Sequence, residues 1–354
     1  MRWPVGSAAL VVGLGAALVA GTWCQPASAL DGVTEQCRFP DERFTEISGM
    51  TYSQRHEGVI YLHNDSSGGP RIYAVDSSTC ETLATLTLAG VEARDFEAIG
   101  SGTDPKGRPI LWVGDIGDNR DSWSDVRLLR VREPKTLRDQ TLKARTYRFT
   151  YPEGPINAEA LLTDPASQRV WVVTKRLAAG EYFRVPLKLG TVTTARPVGK
   201  AGGLVTDGSV SPIGDRFAVR DYVDAEVRLG RPPGSDPITV YLPIQLQGEA
   251  ITWTSDGRAL LVASERDDRL LRVEVTAAPV PSTSADSTPT PSLSVQTLGP
   301  STAESAQQLH TQRSDGSVAA GVVAAGLVVA AVAGLVTFEW RRRLRGRPGP
   351  GGTP

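Results

Sequence analysis

"DFEAIGS", at Asp95–Ser101, is one of five short segments that share a plan: acidic or small residues leading into an apolar one. The others are "EISGMTY" (Glu46–Tyr52), "NAEALLT" (Asn157–Thr163), "TDGSVSP" (Thr206–Pro212) and "QGEAITW" (Gln247–Trp253). Each passes through a turn rich in Asp, Gly or Ser into a second apolar run: "GVIYLHND", "PILWVGDIGDN", "RVWVVTKR", "RFAVRDY" and "ALLVASER". A third run recurs in four of the five, as "RIYAVD", "RLLRVRE", "EYFRVPL" and "LLRVEV". Short runs alternating Val, Leu, Ile and Tyr are strand patterning, and this region holds nothing that reads as a long helix.

Anchored on Met50, Ile99, Leu161, Val210 and Ile251, the segments are spaced by 49, 62, 49 and 41 residues. Three or four strands per repeat of about 40–50 residues is the signature of a β-propeller. The expected fold class is therefore all-β, a propeller of five blades, followed by one C-terminal transmembrane helix. A sixth blade would have to hide in the long interval, whose "EPKTLRDQTLKARTYRFTY" reads as an extended loop plus an outer strand. The last unit shows only three strands, and "GVTEQCRF" (Gly32–Phe39) can supply a fourth and close the ring. A β-sandwich of the same strands is the competing arrangement, but sandwiches need no periodic signature.

The ends of the chain set the expected location. Residues 1–29 read as an export signal: Arg2, the apolar run Ala8–Ala20, then the small-x-small site Ala27-Ser28-Ala29. Cys24 follows the bulky Trp23, which makes a poor lipobox. Cleavage leaves Cys37 and Cys80, an even pair that an oxidising compartment would join. Their disulfide would contribute about 4 kcal/mol on the chain-entropy account. Residues 277–316 are dense in Pro, Ser and Thr and read as a disordered stalk. An apolar span follows within residues 317–340, long enough to cross a bilayer. The basic tail, residues 341–354, puts the C-terminus in the cytoplasm by the positive-inside rule. No LPxTG-like pentapeptide precedes the span, and its small residues Gly326, Ala330 and Gly334 share a stripe. The expectation is a single-pass membrane protein, with residues 30–276 as an extracellular propeller. The full chain's net charge of −1 gives no sign of a basic patch for nucleic acid.

In a propeller the entry to each inner strand and the loop after the second strand share one end of the channel. The segments bring Glu46, Asp95, Glu97, Asn157, Glu159, Asp207 and Glu249 to that mouth. The loops bring His63, Asn64, Asp65, Asp115, Asp118, Asn119, Lys175, Arg176, Arg220, Asp221, Glu265 and Arg266. The binding candidates are Glu97, Glu159, Glu249, Asp95, Asp115, Asp207, Asp221, Asn64, Lys175 and Arg220. Glu97, Glu159 and Glu249 hold equivalent positions before Ala, and an unpaired buried Glu is costly. Three readings stand: pairing with backbone N–H groups or with Lys175, Arg220 and Arg266; a hard cation such as calcium; or a charged organic ligand.

"GVIYLHNDSSGGPRIYAVD", "DFEAI", "WVGDIGDNR", "NAEALLTDP" and "QGEAITW" resemble a family of secreted actinobacterial propeller proteins, more distantly similar to phytase-like and SdiA-regulated propellers. The resemblance spans Glu46 to Val275. β-Propeller phytases bind calcium through acidic channel residues, so the resemblance implies calcium near Glu97, Glu159 and Glu249. The phosphate-gripping cations at hand are only Lys175, Arg176, Arg220 and Arg266.

Other chemistries find little support. His56 and His63 are the histidines of this region, with no G-x-S-x-G elbow beside them and no zinc spacing. There is no Walker or Rossmann glycine pattern. Asn64-Asp65-Ser66 matches a glycosylation sequon. "WVGDIGDNR" (Trp112–Arg120) fails the helix–loop–helix calcium pattern, since Arg120 stands where glycine is required. Its Asp118 and Asn119 suit turn capping, and Asp115 alone is placed to reach the channel. The expected function is binding of a ligand, cation or extracellular partner at the mouth. The alternative is a calcium-dependent ester or phosphoester hydrolase.

Overall fold

Each repeated segment forms a strand, and the apolar run after it, rich in branched and aromatic side chains, forms the next. The computed structural model describes residues 32–65 and 68–275, and there the chain is all-β and propeller-like. Strand β1 (Val33–Arg38) comes first. The first unit is β2 (Ile47–Tyr52), β3 (Val59–Asn64), β4 (Arg71–Asp76) and β5 (Thr82–Ala89). The second is β6 (Phe96–Thr103), β7 (Pro109–Asp115), β8 (Val126–Arg132) and β9 (Gln140–Thr150). The third is β10 (Ala158–Thr163), β11 (Val170–Thr174), β12 (Glu181–Arg184), the short β13 (Thr193–Thr194) and β14 (Arg196–Lys200). The fourth is β15 (Asp207–Val210), β16 (Arg216–Arg220), β17 (Asp224–Leu229) and β18 (Ile238–Tyr241). The fifth is β19 (Gly248–Trp253), β20 (Ala259–Ser264) and β21 (Arg269–Glu274).

Each unit is an antiparallel meander, and the first two join through a parallel pairing of β5 with β9. Strand β1 pairs antiparallel with β21 and gives the fifth unit its fourth strand, so the N-terminal segment closes the ring. The Cys37–Cys80 disulfide is present and ties that strand to the first unit. The long second interval holds a single outer strand, β9. The fourth unit has a third strand, β17 ("DAEVRL"), where the sequence reading found none.

The inner strands pack in a closed order, β2 on β6, β6 on β10, β10 on β15, β15 on β19 and β19 on β2. Five apolar clusters follow the same order, one between each pair of neighbouring units. A sandwich would bury one core between two sheets, so this distribution excludes it. Because both faces of a unit meet neighbours, β2, β3, β10, β19 and β20 are buried along their whole length, while the outer β9 alternates. The anchors Met50, Ile99, Leu161, Val210 and Ile251 all lie in these cores.

Among the described residues no helix is long and apolar enough to cross a membrane. The expected signal, stalk, membrane span and tail lie outside the described residues, as does Ser66 of the sequon.

Candidate functional site

Four of the five inner strands carry a register shift at one repeated place. The residues skipped in the pairing are Ser48 in β2, Glu97 in β6, Glu159 in β10 and Glu249 in β19. A bulge inserts one residue against a single partner and re-aims its side chain. The shared Glu of "FEAI", "AEAL" and "GEAI" is thus the bulge residue, and Ser48 takes its place in the first unit. Strand β15 pairs without a shift and has Gly208 at this position. The three glutamates are only 3, 4 and 6% exposed, so their charges need partners or protons.

The units meet that need differently. Glu159 is held by Lys175, whose Nζ lies 3.0 Å from Oε2, and by the Asn157 amide at 2.9 Å. Burial works to lower the Lys175 ammonium, but Glu159, Tyr222 and Glu249 outweigh it and hold it well above the usual range. The Tyr222 hydroxyl receives a second Lys175 proton at 2.9 Å. Glu249 accepts from Gln247 at 2.9 Å, and burial pushes its carboxyl up. Burial, and then the neighbouring Glu249, push the Glu265 carboxyl up to about 9.

Glu97 accepts from the Ser48 hydroxyl at 3.0 Å. Burial, followed by the charges of Glu159, Asp65, Asp95 and Glu249, raises its carboxyl well above the usual range. Asp65, Asp95 and Glu97 each offer an oxygen within 4.8 Å of the others. Gly117 covers this group: a Cβ there would stand 2.5 Å from both Asp95 Oδ2 and Glu97 Oε1. Gly117 is therefore needed for this close approach.

The remaining candidates serve the scaffold around the mouth. Asp115 accepts from the backbone amides of Arg94 and Asp95 at 3.1 and 2.8 Å and pairs with Arg127. It thereby fixes the chain that carries Asp95. Asp118 caps the next turn through the amides of Ser122 and Trp123. Asp207 accepts from the amides of Gly208 and Ile251, and burial raises its carboxyl well above the usual range. Asp221 caps its loop through Val223 and Asp224, and the Asn64 amide donates to the Arg43 carbonyl. Arg220, 1% exposed, donates to the carbonyls of Ala250, Ala263 and Asp221 and to Gln245. Burial pulls its guanidinium down to about 10. His63 is fully buried, and desolvation pulls it down to about 4.

The oxygen cluster thus draws two residues from segment positions and one from a loop. The set predicted from equivalence, Glu97, Glu159 and Glu249, does not form such a cluster among the described residues. Arg94, Arg127 and Tyr222 were absent from the sequence-based candidates, because each acts through a partner on another strand or loop. Two cavities, of about 120 and 320 Å³, lie beside Trp123 and Tyr151 and beside Glu57 and Trp253, and neither is lined by an inner-strand carboxylate.

No family model and no curated protein matches the chain. Among solved structures, a glucose dehydrogenase matches 69% of this chain and 99% of its own length, at 10% identity and a TM-score of 0.40. Raptor of Chaetomium thermophilum matches 70% of this chain at 10% identity and a TM-score of 0.37, and the match spans 29% of that protein.

Proposed function

We propose that the chain is a cell-surface, membrane-anchored binding protein, a five-bladed β-propeller whose mouth takes up a cation. The convergence of Asp65, Asp95 and Glu97 oxygens beneath Gly117 carries this reading. A donor set of carboxylates alone suits a hard cation, and calcium is the best fit. Binding would replace proton by metal at Glu97 and relieve the repulsion among neighbouring carboxylates. The extracellular placement rests on the leader, stalk and apolar span of the sequence, and the disulfide is consistent with an oxidising compartment.

Titration calorimetry of the chelator-stripped full chain tests the proposal. The expected result is one saturable calcium site, abolished in Glu97→Gln. Absence of heat through millimolar calcium would contradict it.

A calcium-dependent hydrolase is the second reading, and the Glu249–Glu265 pair favours it. One carboxyl of that pair stays protonated near neutral pH and could serve as an acid. Turnover of p-nitrophenyl esters or phosphates, lost in Glu265→Gln with calcium binding intact, would establish it.

A further inference from the structure

A cavity of about 320 Å³ lies at the end of the propeller opposite the mouth, where β2 finishes at Tyr52 and β19 at Trp253. It sits on the seam that closes the ring. The first unit lines it with Glu57 of the β2–β3 turn, the fifth with Asp256 and Arg272, and the closing strand β1 with Gln36. Strand β1 is held on both sides, by its pairing with β21 and by the Cys37–Cys80 disulfide to the first unit. The cavity is therefore a product of ring closure, with walls fixed before any ligand arrives.

Gln36 is the residue skipped where the β1–β21 register shifts between Glu35 and Cys37. A bulge of this kind re-aims its side chain, and Gln36 lines the cavity half-buried. Among the described residues neither the Gln36 amide nor the Glu57 carboxylate has a hydrogen-bond partner. Glu57 and Asp256 are both exposed, so a ligand can reach them. Asp256 accepts from the Thr254 hydroxyl and the Arg258 amide on Oδ1 alone, which leaves Oδ2 open. The Thr254 hydrogen bond holds this carboxyl below the usual range, so it is ionised at neutral pH. Arg272 donates from Nε to Glu274 at 2.7 Å, which leaves its two terminal nitrogens for another acceptor.

We propose that the seam cavity binds a neutral saccharide, with one sugar ring held among Gln36, Glu57, Asp256 and Arg272. Hydrogen-bonding capacity selects this class. A carboxylate or phosphate ligand only accepts, and it would face Glu57 and Asp256 with repulsion. An ammonium only donates, and it would leave the Arg272 and Gln36 N–H groups without an acceptor. An apolar ligand would take water from all four groups and give no hydrogen bond in return. Sugar hydroxyls both donate and accept, so one ring can answer the carboxylates, the guanidinium and the amide together. The volume is at the lower end of the range for small-molecule sites, which suits one or two rings. This site shares no residue with the cation cluster at the mouth and does not depend on it.

The test is a glycan array probed with the full chain in a zwitterionic detergent that carries no sugar, followed by calorimetry with the free monosaccharides. The expected result is binding to glycans that end in a neutral ring. Affinity should fall about tenfold in Gln36→Leu and in Glu57→Leu, each removing hydrogen bonds to the ring. Both variants should melt with the unsubstituted chain, because neither side chain bonds another part of the protein. Equal affinity for the free monosaccharide assigns the site to soluble sugars, and binding to array glycans alone assigns it to polysaccharide ends; both support the proposal. Absence of binding across the array, preference for sulfated, carboxylated or amino-bearing glycans, or full affinity in both variants would overturn it.

Discussion

Glu97 and Glu159 occupy the same bulge in neighbouring units, and each is buried to nearly the same degree. Around Glu159 the chain supplies its own cation, Lys175, together with the Asn157 amide. Around Glu97 it supplies the Ser48 hydroxyl and a company of carboxylates. The difference arises one strand away, in the loop after the second strand, where the third unit has "TKR" and the second has "GDIGDN". A repeated backbone feature therefore presents repeated acids, and the loops decide whether each acid is neutralised internally or left to gather others.

The sharpest way to break this contrast is Lys175→Met. It leaves Glu159 buried without its ion-pair partner, and the expected loss is about 3–5 kcal/mol in urea unfolding. Gly117→Ala acts on the other side. Its methyl would collide with Asp95 and Glu97, and the expected cost is about 1–3 kcal/mol, with calcium binding lost in the same variant. In the calcium-free protein Glu97→Gln replaces a buried carboxyl, whose ionisation burial and the neighbouring carboxylates oppose, by a neutral amide. Its expected effect there is stabilisation of up to about 1 kcal/mol, measured by unfolding in chelator.

The smallest effect concerns Asp224, outside both halves. Burial, then the charges of Asp221 and Glu226, raise its carboxyl from 3.8 to about 6. The folded state keeps a proton that the unfolded chain releases, so stability falls as pH rises from 3.8 through 6 and levels above. Asp224→Asn should flatten the melting temperature over that window and leave the calcium response untouched.

Strand patterning made the five units legible, because every anchor residue is apolar and recurs in a common frame. The closing strand and the long outer strand β9 were readable from the same pattern. The third strand of the fourth unit was missed because its charges, Asp224, Glu226 and Arg228, alternate with modest apolar residues. At the mouth, the three equivalent glutamates were visible in sequence, but their fates were not. Bulges, ion-pair partners and the approach of Gly117 depend on contacts between separate loops, which a one-dimensional repeat does not encode. Asp115 shows the limit: it lies near the mouth, yet its oxygens hold Arg94, Asp95 and Arg127.

The central claim is that the gathering of acids around Glu97 is a cation site. Thermal unfolding of the full chain, in chelator and then in saturating calcium, tests it most directly. By linkage, calcium at about 100 times its dissociation constant adds about 2.7 kcal/mol. For a domain of this size that is a rise of about 5 °C or more, absent in Glu97→Gln. An equal melting temperature in chelator and calcium, or an equal shift in Glu97→Gln, would contradict the account.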